Sequence, residues 1–455
     1  MRIARTGRGV SASAATAALV VAALATAAPA GVTSAASAAV PHTKAVPAVV
    51  GHNLVHGVAS PLPIGQCQAK WHINCYNPLQ YRAAYDLDAL YRRGITGKGR
   101  TIVIVDSFGS PTVQHDLDVY SKQFGLPSTK VKVVKWGKVP AFDPKNSDMT
   151  GWAGETSLDV EMAHAVAPGA KIVLVETAVS ETEGTTGLPE MMSAEKYLID
   201  HGVGDVVSQS FGATENTFPG FGRGDFTSIK KLRYAFEDAH RKHVTVLASS
   251  GDGGATDLQA DGTTYYKKRV NSWPSSDPLV TSIGGTQLHL NDKGGRVKPD
   301  SVYNDYGASG GGQSHVFTRP SFQNGVKNVV GTRRGTPDIS MAAAVNGGAW
   351  VYSSYDPTAT GWGVSGGTSE ASPLFSGIVA LADQAAGHRV GDINAALYQL
   401  RKRKGSGVVD VSDGTDNSYQ GVSGYKAVRG YDMATGVGTV DALRFVAALA
   451  KAGRG

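Results

Sequence analysis

The chain has 455 residues, 57 of them glycine, and a formal net charge of +6. Arg2, Arg5 and Arg8 supply part of that charge and the first forty residues contain no acid, so the rest is near about +3, too weak to hold nucleic acid. Composition is that of a globular protein, and the length allows one large domain or two to three ordinary ones. In chain order, the three arginines precede a weakly apolar run from Ala14 to Ala30, the layout of an export signal. Ala28-Pro-Ala30 and Ala36-Ser-Ala38 both fit a cleavage site, so residues 1–38 are expected to be a signal peptide and the product to be secreted. No later segment is long and apolar enough to span a bilayer, so no stable membrane association is expected after cleavage.

Residues 39–66 are aperiodic and read as a linker or short pro-segment. Cys67 and Cys75, in an exported chain, are expected to form a disulfide. A helix is expected from Tyr76, with Pro78 in its first turn. Continuous apolar strands follow at Thr101–Asp106, Lys171–Glu176, Asp205–Ser210 and Val244–Ser249. Between them lie helical patterns around Val113–Gln123, Glu155–Ala165, Leu188–His201 and Phe226–His243. This alternation predicts an α/β fold, a parallel sheet flanked by helices, and no break after Cys75 reads as a linker. Residues 67–455 are therefore one expected domain. The basic run Arg401–Lys404 is read as a solvated helix end.

Three stretches carry chemistry. At about 100° per residue, Glu155 and Asp159 share a helix face with Met162 and Val166, whereas acids usually face water. Two close carboxylates turned inward raise each other's affinity for a proton and make a group that takes and returns one. A salt-bridged core is the plain alternative. His164 falls on the opposite side of that helix. Asp252, in Ser249-Ser-Gly-Asp-Gly-Gly254, follows a buried strand, where such sheets bind ligands; a turn aspartate is the alternative. Ser369 stands at a glycine-rich turn before an apolar helical stripe that runs to Ala382. A helix start offers free N–H groups to a developing oxyanion, although a serine there is also a plain helix cap.

Taken together, Gly366-Gly-Thr-Ser-Glu-Ala-Ser-Pro373, the Glu155/Asp159 spacing and Ser250-Gly-Asp-Gly253 resemble the sedolisin family, the serine-carboxyl peptidases. Ser208–Gly212, Gly284–Thr286, Gly307–Ser314 and Arg334–Asp338 extend the resemblance, which runs from about Cys75 to the C-terminus. It implies a subtilisin-like fold and peptide or protein substrates, and a monomer is expected. It implies Ser369 as nucleophile, Glu155 as general base and acid, Asp159 as its partner, and a protonated Asp252 as oxyanion-hole donor. It also implies one calcium ion, held by the carboxylates of Asp410 and Asp432 and the carbonyls of Val411, Val428 and Gly430. Val428 stands where the family usually has glycine.

Two points depart from the family or compete with it. The family usually carries a long folded pro-domain, whereas Cys75 here follows Ala38 by only 37 positions. A histidine-based subtilase reaction is a rival, with Asp106 ending a strand as its aspartate does, but no His-Gly-Thr segment follows. A secreted binding protein without catalysis is the other rival.

Overall fold

Eight strands, seven of them with parallel neighbours, build the main sheet of this computed structural model, which describes residues 55–453. The expected signal peptide and the chain before Val55 lie outside the described residues. Strands β1 (Thr101–Ser107), β2 (Val131–Trp136), β3 (Lys171–Thr177), β4 (Val206–Gln209), β5 (Thr245–Ser249), β6 (Thr281–Gln287), β7 (Ser301–Val302) and β8 (Ile339–Ala342) form it. Their order is β7-β6-β5-β4-β1-β3-β2, with β8 also beside β6. Every pairing is parallel except β6 with the short edge strand β7. The strands buried on both faces are those whose sequences are unbroken apolar runs, such as Ile102–Val105.

Four strands of this sheet escape the sequence reading, and two of them, β2 and β6, do so for opposite reasons. Strand β2 alternates valine and lysine because it is a half-exposed edge. Strand β6 carries Gly284 and Gly285, which interrupt its apolar pattern. A Cβ on Gly285 would stand 2.7 Å from Ala343 Cβ and from a ring carbon of Tyr303, so the pattern breaks where neighbouring side chains pack directly on the strand.

Four helices matter to the site: α1 (Val113–Phe124), α2 (Ser147–Val166), α3 (Leu188–Asp200) and α4 (Thr368–Ala386). Helix α2 starts eight residues before Glu155, where the Asn146 side chain accepts from Asp148 N (2.9 Å) and Met149 N (3.2 Å). Such a cap stabilises a helix by about 1 kcal/mol. The helix expected over Phe226–His243 is two, Thr227–Lys230 and Tyr234–Arg241. The chain turns between them at Arg233, whose guanidinium binds Asp277 at 2.6 Å.

The linker expected over 39–66 needs correcting at its end. Val55–Val58 is a strand paired antiparallel with Gly361–Ser365, in a second sheet ordered Val55–Val58, Gly361–Ser365, Gly348–Ser353, Cys75–Tyr76. It shows no sequence period because only Val55 of its four residues is fully buried. The helix Ile64–Trp71 follows, tied to the second sheet by the Cys67–Cys75 disulfide. Among the described residues no helix is long and apolar enough to cross a membrane.

Candidate active site

Helices α2 and α4 run against each other closely enough that a Cβ on Gly377 would meet Val166 Cβ at 2.6 Å. This places the acids of α2 beside the start of α4. Helix α2 is buried almost all round, not on one face as the helical wheel suggests. Glu161, off the face shared by Glu155 and Asp159, is nevertheless 1% exposed and accepts a hydrogen bond from Tyr352 N (3.0 Å). His164 is buried on the far side, with Nε2 2.8 Å from Pro127 O. Burial pushes its pKa down to about 4, so it is neutral above that and does not share the acids' side.

Asp159 is fully buried, and Ser210 Oγ donates to its Oδ1 at 2.8 Å. Burial holds the Asp159 pKa well above the ordinary carboxyl range, and the charges of Asp106 and Glu155 push it the same way. Asp106, at the C-terminal end of β1, thus belongs to the acid group, which sequence reasoning misses. Its Oδ2 accepts from Thr156 Oγ1 on α2 at 2.8 Å. Burial lifts its pKa to about 7, against the pull of that hydrogen bond. Two carboxyl groups, Asp106 on β1 and Asp159 on α2, therefore hold protons that isolated ones would lose.

Ser210 also reaches the main chain of the candidate nucleophile, with Oγ 3.4 Å from Ser369 O. That carbonyl is available because Pro373, four residues on, has no N–H to bond it. Pro373 lies at the sixth residue of α4, beyond its first turn. The proline thus converts a helix carbonyl into an acceptor for a side chain that also binds the acid group. Ser208 Oγ and Ser372 Oγ, 2.9 Å apart, make a second tie between β4 and α4. The signal for Ser210 in sequence is its place at the end of the β4 segment.

Ser369 is not a helix cap. Gly367 holds the cap position at φ +106, where a non-glycine residue is strained, and Ser369 is the second residue of α4. The Ser369 side chain is buried, and its Oγ makes no hydrogen bond to a protein group. Asp252 reaches the same turn from the loop after β5. Its Oδ1 accepts from Thr368 N (2.8 Å) and Thr368 Oγ1 (3.1 Å), while Oδ2 is the oxygen nearest Gly367. Asp252, through Thr368, and Asp159, through Ser210, are thus tied to the helix start that carries Ser369, and Glu155 acts electrostatically on Asp159 from the same helix.

The expected calcium residues meet in one loop. Gly430 N, at φ +94, lies 3.2 and 3.0 Å from the two oxygens of Asp410. Val428 N donates to Asp432 Oδ2 (3.0 Å), and Ala434 and Thr435 donate to its Oδ1. Val411 is buried and Val428 half-exposed. Among the described residues no three His, Cys, Asp or Glu side chains cluster as a metal cage. The expected set has two carboxylates, with its other oxygens from the backbone.

Residues 146–405 match the Peptidase_S8 family, described as the subtilase family. Kumamolisin of Bacillus sp. (strain MN-32) is 31% identical over 387 residues, 82% of this chain and 63% of that protein. Sedolisin of Pseudomonas sp. (strain 101) is 30% identical over 392 residues, 84% of this chain and 62% of that protein. Tripeptidyl-peptidase 1 of Homo sapiens is 30% identical over 319 residues, 64% of this chain and 50% of that protein. The solved structure of Pseudomonas sedolisin, a serine-carboxyl proteinase complexed with two molecules of pseudo-iodotyrostatin, superposes with a TM-score of 0.71. It is 27% identical and covers 84% of this chain and 99% of that one. The chain spans less than two thirds of the length of these curated relatives.

Proposed function

Because the chain belongs to the subtilase family, in its sedolisin branch, we propose that it is a secreted serine-carboxyl peptidase that hydrolyses peptide bonds in acid. The observation that carries this reading is the buried acid group of Asp106 and Asp159 beside the Ser369 turn, joined to it through Ser210. In this mechanism Ser369 Oγ attacks the scissile carbonyl while Glu155 accepts its proton and later returns it to the leaving amine. Asp159 tunes Glu155, and burial is what keeps Asp159 protonated, with Asp106 beside it also holding its proton in acid. Asp252, with its Oδ1 engaged by Thr368, carries its proton on Oδ2 and donates it as a hydrogen bond to the oxyanion. Protein and peptide substrates, a monomeric state and a signal over 1–38 complete the proposal.

The test is digestion of a denatured protein at low pH, with products identified by mass spectrometry. Wild type should release peptides. Glu155→Gln should lower kcat by about 10²-fold or more, the scale of general acid–base catalysis. Glu161→Gln, on the same helix but bonded to Tyr352 N, should retain kcat within about threefold. Equal loss in both variants would refute the role of Glu155.

Calcium fits the 410–432 loop on the chemistry of its donors. Asp410 and Asp432 bracket one turn, and burial pushes Asp432 up to about 6. Both observations suit a hard cation, with the carbonyls of Val411, Val428 and Gly430 as further oxygen ligands. When bound, the ion supplies loop stability and no step of the reaction. Chelation should lower the melting temperature, because a ligand bound to the folded state alone stabilises it. Asp432→Ala should abolish the chelator's effect; a melting curve unchanged after verified metal removal would count against the site.

A further inference from the structure

Glu370 directly follows Ser369 in α4 and is fully buried. A glutamate three residues past a helix cap ordinarily reaches back to the N–H of the cap residue. Here that N–H, from Gly367, already donates to Ala343 O at 2.6 Å. Glu370 instead turns toward the helix Pro78–Ala84, where Tyr81 O–H donates to its Oε1 at 2.6 Å. Tyr81 is 1% exposed, and its hydroxyl also lies 3.4 Å from Gly347 O. The other oxygen, Oε2, is buried with no hydrogen-bond partner.

Thr368, Ser369 and Glu370 therefore form a short run with a clamp at each end. Thr368 is bonded to Asp252 from the loop after β5. Glu370 is bonded to Tyr81 from a helix on the other side of the chain's fold. The nucleophile lies between two residues whose positions are fixed by different elements.

We propose that Glu370, as a neutral carboxyl bonded to Tyr81, is a positioning residue that fixes the direction of the Ser369 hydroxyl. This rests on Ser369 being the nucleophile. Neutrality follows from the surroundings. The titratable groups facing Glu370 are Tyr81, Tyr85, Tyr120 and Asp305, and none is a cation. The Tyr81 phenol and the backbone of Ala349 both favour the charged form, but together they do not compensate a fully buried negative charge with no cation beside it. Burial pushes the Glu370 pKa up to about 8, with Asp305 adding to the rise. Across the acid range the first turn of α4 thus carries no charge beside the developing oxyanion.

The role separates cleanly from simple packing. A hydroxyl aimed wrongly slows the chemical step and leaves substrate binding alone, so kcat falls and KM does not. The experiment measures both constants on a fluorogenic peptide at acid pH, with the full chain and with folding followed by circular dichroism. Tyr81→Phe removes one oxygen from the clamp and should lower kcat about tenfold with KM within twofold. Glu370→Ala should do at least as much. Glu370→Gln, neutral and still an acceptor for Tyr81 O–H, should restore kcat to within about threefold of wild type.

Unchanged kcat in Tyr81→Phe, or a Gln variant as slow as the Ala variant, would overturn the proposal. If Glu370→Ala does not fold, Tyr81→Phe decides the question. Ser369→Ala run alongside separates the two readings. Turnover lost in Ser369→Ala but kept in both clamp variants removes the positioning role alone. Turnover that survives Ser369→Ala removes the nucleophile and the positioning role with it.

Discussion

Ser369→Ala is expected to lose turnover by about 10⁴-fold or more while folding as wild type does. The two halves of that expectation have different causes. Rate is lost because the other hydroxyls at the start of α4 are engaged, Thr368 Oγ1 with Asp252 and Ser372 Oγ with Ser208 Oγ, so none replaces the proposed nucleophile. Stability is kept because the Ser369 hydroxyl makes no hydrogen bond to a protein group, so its removal leaves no donor or acceptor stranded. The melting temperature should therefore stay within a few degrees or rise. The check is kcat on a fluorogenic peptide together with a thermal melt of the same sample. Hydrolysis at the wild-type rate by purified Ser369→Ala would sink the mechanism, and a collapse of the melt would contradict the geometry of the turn.

The second large effect is a decline in both stability and activity as pH rises from acid to neutral. Burial raises the pKa of Asp106, Glu215 and Asp383 to about 7 and of Glu195 and Glu370 to about 8. In the unfolded chain such groups ionise near pH ~4. Between those values the folded protein binds more protons than the unfolded one, so stability falls with rising pH. A unit of pKa shift corresponds to about 1.4 kcal/mol, and domains are stable by only about 5–15 kcal/mol, so even a fraction of these shifts is large. The opposite sense belongs to exposed carboxylates such as Asp225 and Asp261. Hydrogen bonds from Thr227 hold the first below its usual pKa, and backbone N–H groups of Thr264 and Thr263 bring the second to about 2. Their contribution is complete above pH ~4 and is lost only in stronger acid.

The melting temperature should accordingly peak on the acid side and fall by about 10 °C or more by pH 8. Activity should fade over the same interval, since Asp252 donates to an oxyanion only while it holds its proton. Thermal melts and kcat/KM across one buffer series would test both. A stability maximum at neutral pH, or peak kcat/KM above about pH 7.5, would reject the carboxyl mechanism.

Much of this site is legible in the sequence because its parts are local. Glu155 and Asp159 lie one helical turn apart, and Gly366-Gly-Thr-Ser369 puts a glycine where φ is positive and a serine just inside the helix. Asp106 is not legible in the same way. Its role depends on β1 lying beneath α2, a relation set by strand order and not by spacing along the chain. Ser210 is hidden for a similar reason, since its two contacts reach α2 and α4 at once. The helical wheel finds the right face for the wrong cause. It assumes one solvated side, whereas α2 is enclosed by the sheet on one side and α4 on another. The edge strand β2 and the glycine-broken β6 escape because apolar periodicity reports burial of side chains, and β2 is partly exposed while β6 is covered at its glycines by side chains of other segments.

The short strand Val55–Val58 has a consequence for how the chain tolerates trimming. It covers the open side of Gly361–Ser365, and that strand runs directly into Gly366, Gly367 and the nucleophile turn. A cut before Val55 leaves this brace in place. A cut in the segment between Val58 and Ile64 detaches it, exposing a row of unpaired backbone groups one strand-length from Ser369. A chain that begins after Val58 is therefore expected to melt at a lower temperature than one that keeps Val55–Val58, with no candidate catalytic side chain removed.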